Sequence, residues 1–204
     1  MNKLSALILL FLSGCSAASL GRYQPVVPGL TLEEVEQRHR LVYKDSSTDQ
    51  PSCNGFAVDD FIVYTADHCI KNAPAPVLED GTSLEKIVSL LESDLAILSP
   101  EVPSVGLREA PIYEGKLNKG ETISLVVYVP DQRKMELLDT FPKQVEPTPT
   151  GLLHISGPII SFWKTLTLHD SSCQPYDLQN VYAISAPGRR GFSGGPVFAQ
   201  VEEK

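Results

Sequence analysis

Basic residues are scarce in this chain. Seventeen Lys and Arg stand against 25 Asp and Glu, a formal net charge of −8. That leaves no cationic footprint for a phosphate backbone, which argues against nucleic acid as a partner. Cysteine is also sparse, at four in 204 residues. His39, His154 and His169 have no Cys or His partners at zinc-ligand spacing, so no metal is expected. The apolar run Leu4 to Leu12 is too short to cross a bilayer comfortably as a permanent helix. No repeat of fixed short period and no low-complexity tract occurs, which sets aside a repeat array. What remains is 42% apolar content, enough to bury a core in one domain.

The N-terminus reads as targeting rather than fold. Lys3 supplies a positive start, Leu4 to Leu12 an apolar stretch, and Leu12-Ser13-Gly14-Cys15 resembles the bacterial lipobox. That resemblance implies a lipoprotein signal over residues 1–14, a diacylglyceryl group on Cys15 and a bacterial membrane anchor. The neighbouring Ser16 is compatible with the outer membrane and periplasm. An ordinary secretory signal that happens to contain a cysteine is the alternative. Several acyl chains would anchor the protein firmly, at about 0.8 kcal/mol per buried methylene. Either reading puts the domain outside the cytoplasm, where disulfides persist. Residues 15–38 then form a tether ending in a short helix, with Thr31 as N-cap and Glu33 and Glu34 in the first turn. Setting Cys15 aside leaves Cys53, Cys69 and Cys173, so at most one bridge forms and one thiol stays free or pairs elsewhere.

Sixteen prolines and fourteen glycines cut the rest into short segments, as all-β folds require. Strand-like runs are Leu41 to Tyr43, Gly55 to Val58 and Phe61 to Tyr64 around an Asp59-Asp60 turn, Lys86 to Leu91, and Leu95 to Leu98. Residues 100–119, rich in Pro, Gly and charge, read as a connector. Beyond it Thr122 to Val129 is the clearest strand. Met135 to Leu138, Gly151 to Ile155, Ile159 to Leu168, Val181 to Ser185 and Pro196 to Ala199 follow, with Trp163 expected in the core. Two halves of about six short strands each, over 39–100 and 120–201, point to paired β-barrels within one domain at 39–204.

Three motifs carry chemistry. The first joins Cys53-Asn54-Gly55-Phe56 to Tyr64-Thr65-Ala66-Asp67-His68-Cys69; the second is Ser93-Asp94-Leu95-Ala96-Ile97-Leu98. The third is Gly191-Phe192-Ser193-Gly194-Gly195-Pro196-Val197. In content and order they resemble the histidine loop, aspartate strand and nucleophile loop of trypsin- and chymotrypsin-like serine proteases. The resemblance spans roughly residues 50–199 and is pattern rather than identity between the motifs. It implies an all-β fold of two six-stranded antiparallel barrels and a disulfide between Cys53 and Cys69. It also implies a catalytic triad of His68, Asp94 and Ser193, and an oxyanion hole from the amides of Gly191 and Ser193. The activity implied is cofactor-free hydrolysis of a protein or peptide substrate through an acyl-enzyme.

The chain departs from the family at three points. Phe192 stands where zymogen-activated relatives carry an acid that pairs with a freed N-terminus, so the oxyanion loop must be ordered another way. Pro187, at the pocket base, carries no charge and gives no support for Lys or Arg specificity. Arg189 and Arg190 either face the substrate pocket or are simply solvated. Few residues follow Ser193, so the second barrel is expected to be incomplete at the C-terminus unless earlier segments or a partner chain complete it. A catalytically inactive binding module on the same shell, anchored to the membrane, is the alternative to a protease.

Overall fold

The computed structural model describes residues 8–11, 30–47, 50–51, 53–73, 75–113, 116–169, 173–188 and 191–199. Cys15, Arg189 and Arg190 lie outside them. The first helix, α1 (Leu32–Arg38), begins as its sequence requires. The Thr31 hydroxyl accepts from the Glu34 amide, while the Glu34 carboxylate accepts from the Thr31 amide at 2.9 Å. These bonds to Thr31 lower the Glu34 pKa below the usual carboxylate value.

α1 runs into the first sheet: β2 (His39–Tyr43), β3 (Cys53–Ala57), β4 (Val63–Ala66), β5 (Val77–Leu78), β6 (Leu84–Leu90) and β7 (Leu95–Pro100). Strand order is β5-β2-β3-β4-β7-β6, with every pair antiparallel. A bridge between Val77 and Ser83 joins the two ends and curls the sheet into a barrel. Its interior is small, filled by Val42, Ala57, Val63, Ala66, Leu78, Leu84, Ala96 and Leu98. Alternation along β3, β4 and β7 sends Phe56, Tyr64 and Leu95 the other way, into a larger core shared with the second half. β3 and β4 are therefore buried on both faces. The connector after β7 holds to this barrel through Asp60, which accepts from the Leu107 amide at 2.8 Å. Arg38, buried, donates to the carbonyls of Val58 and Arg108.

The second sheet comprises β8 (Thr122–Val127), β9 (Val145–Pro147), β10 (Leu153–His169), β11 (Pro175–Ile184), β12 (Val197–Ala199) and β1 (Ile8–Phe11). Its order is β1-β11-β10-β8-β12, with β9 beside β10. β10 was expected as two strands and is one, 17 residues long. Gly157-Pro158 is the corner where it leaves β8 and takes β11 as partner, with a bulge between Ile159 and Ser161. A Cβ at Gly157 would overlap the Ser185 carbonyl, so the close crossing needs glycine.

Two further expectations are corrected. Met135 to Leu138 is not a strand but lies in the helix α3 (Asp131–Thr140). Pro130 precedes it with its carbonyl accepting from Arg133 and Lys134, and the segment is made of good helix formers with only Leu137 buried. Not every pairing is antiparallel, either. β1, from the segment read as a signal, runs parallel to β11 in the register Ile8↔Val181 to Phe11↔Ile184. It satisfies backbone groups along an edge that no other described strand takes. Trp163 is half-buried against the larger core, and Cys173 is an exposed free thiol.

Candidate active site

The histidine loop is fixed at both ends. β4 ends at Ala66 and the single-turn helix α2 (Asp67–Ile70) carries His68 and Cys69. Cys69 is joined to Cys53 on β3, a disulfide with a Cα–Cα distance of 6.0 Å. Asp67, buried, accepts a 2.5 Å bond from the Ser89 hydroxyl of β6.

Asp94 follows a 3-10 turn, Leu91–Ser93, and adopts a left-handed conformation (φ 51°) just before β7. Aspartate tolerates that region better than most residues. The turn aims its carboxylate back at α2. One oxygen accepts from the His68 amide at 2.9 Å and the other lies 2.7 Å from His68 Nδ1, while the Asp94 carbonyl accepts from the Asp67 amide. The carboxylate is buried; the His68 side chain is 37% exposed. With Nδ1 against a carboxylate the ring keeps its proton there, and Nε2 is left as the basic nitrogen. Nε2 lies 3.4 Å from Cys69 Sγ.

Ser193 sits in the turn between β11 and β12. Its carbonyl accepts from the Asn54 amide at 2.9 Å, which seats the nucleophile loop on β3. Gly191 has φ +98° and Gly194 φ +80°, conformations that strain any residue with a side chain. A Cβ at Gly194 would also overlap the Asn54 carbonyl. Phe192, 3% exposed, drives its ring into the larger core. Among the described residues no hydrogen bond joins Ser193 Oγ to His68 Nε2. His68 and Asp94 are in direct contact, while Ser193 lies on the loop that the Asn54 amide holds to β3.

Donor atoms of Cys53, His68 and Cys69 all lie within 4.8 Å of one another. Both sulfurs are tied up in the disulfide, so the cluster lacks the thiolates that would bind a metal.

The sequence reading missed Asn54. It is 1% exposed in a strand that is otherwise apolar, and it bonds to both the His39 ring and the nucleophile loop. Burial pushes the His39 pKa down to about 4, with its bond to Asn54 opposing the shift. A cavity of about 170 Å³ opens beside the loop, lined by Leu41, Cys53, Asn54, Tyr128, Pro130, Arg133 and Gly191 among others.

The architecture is the trypsin- and chymotrypsin-like serine protease fold, as solved structures bear out. The MamO protease domain from Magnetospirillum magneticum, in its apo form, superposes with a TM-score of 0.56. It shares 13% identity over 83% of this chain and 82% of that one. Rv3671c from M. tuberculosis H37Rv, a serine-to-alanine mutant in an inactive form, gives 0.52 at 15% identity over 84% and 78%. The Rv3671c protease, also in an inactive form, gives 0.50 at 16% identity over 82% and 74%. No family model matches the sequence, and no curated protein matches it either.

Proposed function

We propose that the protein is a serine endopeptidase acting outside the cytoplasm, tethered to a bacterial membrane through a lipid on Cys15. The observation that carries this reading is the two-point contact between Asp94 and His68. A serine hydroxyl is a weak nucleophile at neutral pH. His68 Nε2 takes its proton as Ser193 Oγ attacks the substrate carbonyl, and Asp94 stabilises the imidazolium that forms. The Gly191 and Ser193 amides receive the developing oxyanion. The protonated histidine then releases the amine, leaving an acyl-enzyme, and water activated by the same ring completes hydrolysis. Catalytic hydrogen bonds of this kind are often unformed before substrate arrives, in keeping with the absent Ser193–His68 bond.

Casein hydrolysis by the purified, disulfide-intact protein tests the reading; it is expected in the wild type and lost in Ser193→Ala. Phe192, where zymogen-activated relatives carry the acid that orders this loop, favours a second reading, a binding module on a protease shell. That reading predicts peptide binding unaltered by Ser193→Ala, with no hydrolysis by either protein.

A further inference from the structure

Phe192 leaves the nucleophile loop without the carboxylate that orders it in zymogen-activated relatives, yet the loop is tied down. The ties converge on one residue, through its side chain and its backbone. Asn54 Nδ2 donates to the Gly191 carbonyl at 2.6 Å, and the Asn54 backbone amide donates to the Ser193 carbonyl at 2.9 Å. Its Oδ1 accepts from the Tyr128 amide at 2.6 Å and faces His39 Nε2 at 2.6 Å. Its own carbonyl accepts from the Thr65 hydroxyl. Every polar atom of Asn54 has a partner, and the partners come from both halves of the fold.

The orientation of the amide follows from its neighbours. A backbone N–H only donates, so the atom facing Tyr128 is Oδ1; a carbonyl only accepts, so the atom facing Gly191 is Nδ2. The same logic makes His39 Nε2 a donor. His39 is itself only 7% exposed, and its ring stays neutral through the physiological range. A flip of the Asn54 amide would set N–H against N–H at Tyr128 and His39, and oxygen against oxygen at Gly191.

Resting on the serine-protease reading, we propose that Asn54 is the positioning residue of the nucleophile loop. It holds the carbonyls of Gly191 and Ser193 to the first barrel, so that the amides of the same loop stay ready for the oxyanion. His39 locks the amide in the orientation that does so. The packing agrees: the Asn54 carbonyl passes so close to Gly194 that only glycine fits there. Asn54 touches no reacting atom and acts through the loop. Its removal therefore slows chemistry while leaving the grip on substrate largely intact.

The test compares wild type, Asn54→Ala, Asn54→Asp, His39→Phe and His39→Gln, with Ser193→Ala as the blank. A fluorophosphonate inactivates each protein, and the limiting rate and half-saturation are separated. Amide hydrogen exchange is followed at Gly191–Gly195, and at Thr122–Val127 as a control for global folding. Asn54→Ala is expected to lower the limiting rate by about 10²–10³-fold, the usual effect of losing an oxyanion donor. Half-saturation should move by less than about threefold, as for an interaction felt only in the transition state. Asn54→Asp should be no better, since it sets a carboxylate oxygen against the Gly191 carbonyl. His39→Gln, which keeps a donor toward Oδ1, should retain most of the rate that His39→Phe loses. Loop amides should exchange faster in Asn54→Ala, Asn54→Asp and His39→Phe while the control strand does not change.

Wild-type rate and wild-type loop exchange in a folded Asn54→Ala would overturn the proposal. Where Asn54→Ala fails to fold, His39→Phe decides by the same two readouts. Should the wild type itself resist the probe, the protease reading fails alone. Loop exchange then still decides: acceleration confined to Gly191–Gly195 supports the role of Asn54, and unchanged exchange removes it.

Discussion

Acid should destabilise this protein well above the pH at which its carboxylates titrate, and His39 should be the cause. The folded state pushes the His39 pKa down to about 4 from the ordinary histidine value of 6.5, chiefly because the ring is buried; nearby Arg40 adds to the shift, while the Asn54 bond and Glu36 oppose it. Above pH 6.5 neither folded nor unfolded chain protonates this ring, and its contribution is fully present. As pH falls from 6.5 toward 4 the unfolded chain takes up a proton that the folded chain refuses, so stability is lost across that window. At 1.36 kcal/mol per pH unit, the full loss is on the order of 3 kcal/mol. Hydrogen bonds hold the pKa values of Glu34, Glu36, Asp80 and Glu121 below the ordinary carboxylate range, so their contributions disappear mainly below the His39 window. His154 is also lowered by burial and acts in the same direction, but equally in wild type and variant. Urea denaturation of wild type and His39→Gln at intervals from pH 8 to pH 4 isolates the effect. The stability difference between them should shift by roughly 3 kcal/mol in favour of the variant over that range. A difference that stays constant from pH 8 to pH 4 would refute the buried, neutral ring.

Three further outcomes follow from the same geometry. Asp94→Asn should leave the fold intact and lower the hydrolytic rate by about 10⁴-fold, because the histidine loses the carboxylate that holds its tautomer and charge; peptide hydrolysis kinetics measure it. Reducing the Cys53–Cys69 disulfide, whose cysteines are 16 residues apart, should cost about 3 kcal/mol in the chain-entropy account. Denaturation with and without dithiothreitol reads that loss. Gly194→Ala combines a φ of +80° with an overlap against the Asn54 carbonyl, so it should cost about 3 kcal/mol or more, seen as a lowered denaturation midpoint.

Elements whose signals are local were legible in the sequence. Thr31 and Glu34 supply a capping box within four residues, and the helix begins where they say. The paired runs around Asp59 and Asp60 form the β3–β4 hairpin, although the ladder stops at Ala57 and Val63 and leaves a longer loop than the two-residue turn expected. Residues 135–138 misled because a window of four with three apolar side chains fits either period. The deciding feature was upstream, in Pro130-Asp131, which starts a helix. Gly157-Pro158 looked like a break between strands and is instead the corner of one strand changing partners, a distinction that only the positions of β8 and β11 can make.

The site divides in the same way. His68 and Asp94 were named from their motifs, and the structure puts them 2.7 Å apart. Asn54 was visible only as an amide between Cys53 and Gly55. Its partners at positions 39, 128, 191 and 193 are distant in sequence, so no local pattern revealed what it holds. Nor did any local pattern indicate that residues 8–11 pair with β11.

The proposed chemistry stands or falls on Ser193 being a nucleophile activated by the His68–Asp94 pair. Fluorophosphonate treatment of the folded, disulfide-intact protein, followed by peptide mass mapping, addresses it directly. One adduct is expected, on Ser193, absent in Ser193→Ala and formed far more slowly in His68→Ala. No adduct, or one that survives Ser193→Ala, would contradict it.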